Sequence, residues 1–150
     1  MVELLLVTGI VAVIALAALP SLLGRKGKSD LENTTQSIAA LLREAQSRSV
    51  TQTSSAAWGV YFENSTTSPS RPFFALFHTS TSTVIRRDVL PSTLEYATSN
   101  IAGGSSLQVA FDQLTGFASS SISLVVRLKN NRTVSSTISV AVSGLVTAEY

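Results

Sequence analysis

The chain has 150 residues, the size of one domain, of which 45% are hydrophobic and only 13% charged. The absence of cysteine excludes a disulfide scaffold, a cysteine-based zinc site and a thiol nucleophile, and the single histidine excludes a histidine pair or triad that binds a metal. The pI of about 9.3 reflects Arg25, Lys26 and Lys28, because without these and Glu3 the chain holds eight basic and eight acidic residues. A neutral domain cannot neutralise many phosphates, so we expect no nucleic-acid partner.

The N-terminal segment, residues 1–23, is an apolar run with one charge, Glu3. A helix of this length can cross a bilayer core of about 30 Å. The basic residues Arg25, Lys26 and Lys28 follow it, where they can contact anionic head groups at a membrane surface. A cleaved signal peptide and a plain membrane anchor are two alternatives. A signal peptide begins with a positively charged region, which this segment lacks. The second leaves Glu3 unexplained, because a carboxylate in an apolar helix costs about 2.5–3.5 kcal/mol and usually has a partner.

The pattern of this segment resembles the mature N-terminus of type IV pilins and pseudopilins. Glu3 begins an unbroken apolar run, and Pro20 follows it by seventeen positions, which is the spacing in that family. Four residues usually precede the acid there, beginning with an N-methylated aromatic, whereas Met1 and Val2 precede it here. Two further mature residues, and a basic leader removed by a prepilin peptidase, are therefore expected upstream.

The resemblance implies a structural subunit, not an enzyme. Such a subunit is held in the inner membrane before assembly and joins identical subunits at an assembly platform there. The resulting filament extends from the cell surface and is used for adhesion, twitching motility or DNA uptake. It also implies that Glu3 pairs with the N-terminal amine of the neighbouring subunit. Pairing two charges in an apolar filament core recovers much of their desolvation cost and sets the axial register.

A break is predicted after the apolar run. Pro20 and Gly24 disfavour a helix, and Ser29 with Glu32 has the spacing of a capping box. These signals predict an unwound joint over residues 20–28, with one continuous, kinked helix as the alternative. An amphipathic continuation is predicted for residues 24–53, since its apolar residues recur at helical spacing. They are Leu31, Ile38, Leu41, Leu42 and Ala45.

Residues 54–150 are predicted to form a β domain, which gives an α+β fold. Short runs of strand-forming residues alternate with turn residues. The predicted strands cover 58–62, 72–77, 83–90, 107–111, 122–129, 133–142 and 145–149, with a hairpin tip at Asn130-Asn131. This order is similar to the GspH/FimT type of pseudopilin domain. Some members of that type bind DNA through basic C-terminal residues, but residues 144–150 here contain no Arg or Lys.

The sequence shows no pattern typical of a catalytic, metal or cofactor site. His78 stands alone and is expected at a strand end, and nothing pairs Asp88, Glu95 or Asp112. Glycosylation is one interpretation of the Ser- and Thr-rich surface, and a plain polar surface is the other. The candidate acceptors are Asn33, Asn64 and Asn131 in N-x-Ser/Thr sequons, and Ser65, Thr66, Thr67 and Ser68 in one loop.

Three functions remain open from the sequence. The chain is the main subunit of a surface pilus, or a minor pilin or type II secretion pseudopilin, or a membrane-anchored binding domain. Glu3 argues against the third alternative, since a plain anchor has no use for a charge at that position.

Overall fold

The computed structural model describes residues 2–67 and 70–150, and the backbone alone of Leu5, residues 15–25 and residues 80–82. Helix α1 (Val2–Val50) leads through a short 3-10 turn (Thr53–Ser55) into eight strands. The strands are β1 (Trp58–Glu63), β2 (Phe73–His78), β3 (Ser80–Val89), β4 (Leu94–Tyr96), β5 (Ser106–Phe111), β6 (Ile122–Leu128), β7 (Ser135–Val140) and β8 (Val146–Glu149). The predicted α+β fold is confirmed.

The strands form two antiparallel sheets of four strands each. Their orders are β3-β2-β1-β5 and β4-β6-β7-β8. The predicted hairpin between β6 and β7 is present, and the N–H of Val134 donates to the carbonyl of Asn131 at its tip. Strand β4 was not predicted, because three residues are too few to show an alternating pattern.

The second half of α1 lies across both sheets. The apolar stripe predicted for this half is buried as expected: Leu31, Ile38, Leu41, Leu42 and Ala45 are each at most 4% exposed. Opposite it, the sheets contribute Phe62, Tyr96, Phe111, Leu124 and Ile138. Burial of each large apolar side chain stabilises the fold by about 1.5–3 kcal/mol, so this half of the helix is held to the domain.

The helix is continuous through residues 20–28, so the predicted unwound joint is wrong and the continuous-helix alternative holds. Ser29 is not an N-cap but lies inside the helix, where its hydroxyl accepts a hydrogen bond from the Asn33 amide at 3.4 Å. Tertiary contacts favour the helix at the C-terminal end of this stretch. A Cβ on Gly27 would lie 3.1 Å from Leu128, and the Thr93 hydroxyl donates to the Asp30 carboxylate at 2.9 Å. Such contacts outweigh a propensity cost of about 1 kcal/mol per glycine.

The C-terminal end of α1 is tied to β1 through one hydroxyl. The buried Ser49 hydroxyl accepts a hydrogen bond from the N–H of Trp58 at 2.8 Å and lies 3.4 Å from the carbonyl of the same residue. The Trp58 indole N–H donates to the carbonyl of Thr53 at 2.8 Å, and the Arg48 guanidinium lies 4.6 Å above the indole ring. Together these contacts fix the orientation of the C-terminal end of α1 relative to β1.

Candidate assembly surface

The first part of α1 projects from the β domain with its apolar side chains uncovered. Eight large side chains between residues 2 and 14 are 52 to 79% exposed: Val2, Leu4, Leu6, Val7, Ile10, Val11, Val13 and Ile14. A Cβ added at Gly9 would meet no atom within 4 Å, so no other described residue covers the helix at this position. An uncovered apolar surface of this extent is typical of an interaction site.

The two polar side chains of this stretch, Thr8 and Glu3, differ in their hydrogen-bond and ion-pair partners. The Thr8 hydroxyl donates to the carbonyl of Leu4 at 2.9 Å, so the helix itself satisfies this group. Glu3 is exposed in the first helical turn and makes no salt bridge within the described residues. The N-terminal end of a helix favours negative charge, but a carboxylate there still requires a partner once the helix is surrounded by apolar atoms.

The other residues predicted to act in assembly or at a membrane surface are only partly described. The side chains of Pro20 and Arg25 lie outside the described part of the chain, and of Gly24 only the helical backbone is described. Lys26 is exposed, and Lys28 lies 3.9 Å from Glu32 on the solvent side. Within the described part of the chain, no helix offers an apolar stretch long enough to cross a membrane.

The structure distinguishes the three candidate N-glycosylation sites. Asn64 is only 8% exposed, and its amide donates to the carbonyl of Ile101 at 2.8 Å, so it is closed to a glycan. Asn33 and Asn131 are exposed. In the neighbouring candidate loop, Ser65 is partly buried and Thr66 and Thr67 are exposed, while Ser68 lies outside the described residues.

Two carboxylates of the β domain, Glu95 and Asp88, lie beside arginines. Glu95 accepts a hydrogen bond from Arg127 at 2.7 Å and lies 3.0 Å from Arg132. Asp88 lies 2.8 Å from Arg86, which is ion-pair distance, although the two groups are not aligned for a hydrogen bond.

His78 and Tyr96 have packing roles. His78 ends β2 as predicted, with its ring centroid 5.1 Å from that of Trp58. Burial raises the pKa of Tyr96, whose hydroxyl donates to the carbonyl of Phe73 at 3.2 Å. Within residues 2–67 and 70–150, no three side chains of metal-ligating type converge.

A groove of about 410 Å³ lies where α1 leaves the β domain. We call it the proximal groove, and it is lined by Gly27, Lys28, Thr93, Leu128, Asn130, Asn131 and Val134. The sequence analysis missed it, because its residues are far apart in the chain and meet only through the fold. The one local signal was Gly27, a small residue within a helix, which lets Leu128 approach the backbone.

No protein-family model and no curated protein sequence matches the chain. Its fold is similar to two crystal structures of the type IV minor pilin FimU from Pseudomonas aeruginosa strain PAO1. The first aligns with a TM-score of 0.58 at 15% identity, over 81% of this chain and 90% of that one. The second aligns with a TM-score of 0.56 at 14% identity, over 80% and 93%. The chain therefore has a pilin-like fold, which confirms the resemblance at the level of structure.

Proposed function

We propose that this chain is a subunit of a type IV pilus-like filament and polymerises through the first part of α1. The observation that carries the proposal is the contrast within one helix. Residues 31–45 bury their apolar stripe in the domain, whereas the large apolar side chains of residues 2–14 are more than half exposed. Burying each of these eight side chains is worth about 1.5–3 kcal/mol, and parallel packing against the same segment of other copies supplies that burial.

Glu3 gives the packing its register. Enclosing its carboxylate among apolar helices without a partner costs several kcal/mol. The amino terminus of a neighbouring subunit is a cation that sits at the same end of every helix. One axial offset brings the two groups together, and other offsets leave both charges unpaired. The pair therefore contributes specificity, while the apolar side chains supply most of the association energy.

The same arrangement places the β domains on the outside of the filament. The amphipathic half of α1 keeps each domain beside its own helix, and residues 29–150 carry no net charge, so neighbouring domains do not repel strongly. A filament of this kind presents a polar, Ser- and Thr-rich surface to the medium. We propose that it acts at the cell surface, in adhesion, motility or DNA uptake.

A second candidate is a minor pilin or a secretion pseudopilin, present at low copy number in a filament built mainly from another subunit. The fold likeness to a protein described as a minor pilin favours this alternative. The two candidates share the helix-mediated assembly and differ in abundance. Shearing filaments from native cells and quantifying their protein by mass spectrometry separates them. A dominant amount of this chain identifies the main subunit, and a trace amount identifies the minor one.

Substitution of Glu3 tests the assembly mechanism itself. Glu3→Ala and Glu3→Leu are expected to abolish filaments while the amount of the chain in the cell stays unchanged. Glu32→Ala is the matched control, because Glu32 is a half-exposed acid of the same helix whose one salt bridge among the described residues is a 3.9 Å contact with Lys28. Filament yield is scored by electron microscopy and by the sheared fraction. Normal yield from either Glu3 variant would contradict the mechanism.

A further inference from the structure

The end of the β domain opposite the projecting helix carries a second uncovered apolar surface. We call it the distal cap, and its large side chains are 42 to 65% exposed: Val50, Leu114, Phe117, Val142 and Leu145. They come from the end of α1, the turn after β5 and the turn between β7 and β8. None of them belongs to the projecting part of α1, so helix packing alone does not account for this surface.

The three segments of the distal cap are held together by close contacts. The Gln46 amide donates to the carbonyl of Gly116 at 3.0 Å, and the N–H of Leu114 donates to the carbonyl of Ser49 at 3.3 Å. Gly144 lies so close to Gly116 that a Cβ added at Gly144 would collide with the carbonyl oxygen of Gly116. The N–H of Ala118 donates to the carbonyl of Val142 at 2.9 Å. The cap is thus a built surface and not a set of loose loops.

The proximal groove lies at the other end of the same domain. Its lining includes the apolar side chains of Leu128 and Val134 and the charged side chain of Lys28. Gly27 at the groove and Val50 at the cap are 23 residues apart on one helix, which corresponds to about 35 Å along its axis at 1.5 Å per residue. A second copy shifted along the helix direction by roughly this distance brings its groove to the cap of the first.

We propose that copies of this chain dock head to tail, with the distal cap of one copy seated in the proximal groove of the next. The inference rests on the proposed filament, in which all helices point the same way. An apolar surface that fits a recess elsewhere on the same molecule makes a contact that does not close on itself and propagates as a fibre. Charge supports the pairing, since Asp112 beside the cap makes no salt bridge among the described residues. Lys28 at the groove is 71% exposed, and its described ion pair is a long one, 3.9 Å to Glu32.

Cysteine crosslinking tests this contact directly, because the chain has no cysteine of its own. The full chain carries Leu145→Cys in the cap and Asn130→Cys at the groove, both at exposed positions. Filaments from cells that make it are oxidised with copper phenanthroline and run on a non-reducing gel. Head-to-tail docking predicts a ladder of covalent dimers, trimers and longer chains. Neither single variant is expected to crosslink. A double variant with Gln108→Cys in place of Asn130→Cys is the matched control, since Gln108 is exposed on β5.

The other outcomes identify which idea fails. Filaments without a ladder overturn head-to-tail docking and leave the proposed function intact. Dimers of Leu145→Cys alone indicate a head-to-head contact and also overturn it, as does a crosslink of Leu145→Cys to a different protein. If the wild-type chain enters no filament, the proposed function fails and the inference fails with it.

A second variant keeps the test valid if the double cysteine variant does not assemble. Leu145→Asn removes one large apolar side chain from the cap, and its contact is expected to weaken about tenfold. Ile85→Asn is the control, because Ile85 is also an exposed apolar residue, 51% exposed, on β3 away from both ends. Leu145→Asn should lower filament yield relative to this control. Equal yields would contradict the inference.

Discussion

Replacement of Ser49 by alanine tests how the end of α1 is joined to the β domain. The Ser49 side chain is fully buried, and its hydroxyl is the acceptor for the N–H of Trp58 at 2.8 Å. Alanine leaves that N–H without this acceptor, and an unsatisfied buried donor costs about 1–3 kcal/mol. The better helix propensity of alanine returns about 0.5 kcal/mol. The expected net loss of about 1–2 kcal/mol lowers Tm by roughly 2–8 °C for a chain of this size.

Ser47→Ala is the control for this experiment. Ser47 is exposed on the same helix, so the substitution gains the same propensity without removing a buried partner. Thermal unfolding of the full chain in detergent can be followed by the fluorescence of Trp58, the only tryptophan in the chain, and by circular dichroism. Ser49→Ala should unfold well below both the wild type and Ser47→Ala. Equal Tm values for the two variants would refute the argument that this hydroxyl joins helix and sheet.

Three further predictions concern the β domain. Gly144→Ala should destabilise the chain to urea more than Gly104→Ala. Both positions have positive φ, but an added Cβ collides with Gln46 only at the first, while at Gly104 its nearest atom is 3.9 Å away; equal losses would contradict this. Burial raises the pKa of Tyr96 above its value of about 10 in the unfolded chain. The contribution of Tyr96 to the free energy of unfolding is therefore present below about pH 10 and is lost as the pH rises above it. The free energy of unfolding of Tyr96→Phe should therefore fall less steeply with rising alkaline pH than that of the wild type. Equal slopes for the two proteins would contradict this prediction. Peptide mapping of native protein should show no glycan on Asn64, whose amide is buried and bonded.

Residue periodicity predicted much of this fold. The apolar stripe of α1 and most strands were identified because each has a clear period, 3.6 or 2 residues, over enough positions. Strand β4 has only three residues, Leu94–Tyr96, and its pairing with β6 comes from tertiary packing. The joint was predicted from Pro20, Gly24 and Ser29, and this local pattern could not show that Gly27 packs against Leu128 and that Asp30 accepts a hydrogen bond from Thr93.

The candidate surfaces also differ in how far the sequence predicts them. The projecting apolar segment is contiguous in sequence, so composition alone located it and Glu3 within it. The proximal groove and the distal cap each combine residues from distant parts of the chain. Leu128 meets Gly27, and Leu114 meets Ser49, only in the folded chain. A pattern confined to a short window cannot predict such surfaces.

The continuity of α1 from Val2 to Val50 has a geometric consequence. A helix with 3.6 residues per turn rotates by about 100° per residue, so its apolar projecting face and its β domain keep a fixed angular phase. Inserting one residue between positions 14 and 27 would swing the domain by about 100° around the filament axis and shift it by about 1.5 Å. Eighteen residues, which make five whole turns, would restore the original phase, and seven would come within about 20° of it. We therefore expect this stretch to accept substitutions far more readily than insertions or deletions, since its length encodes the direction in which each domain faces.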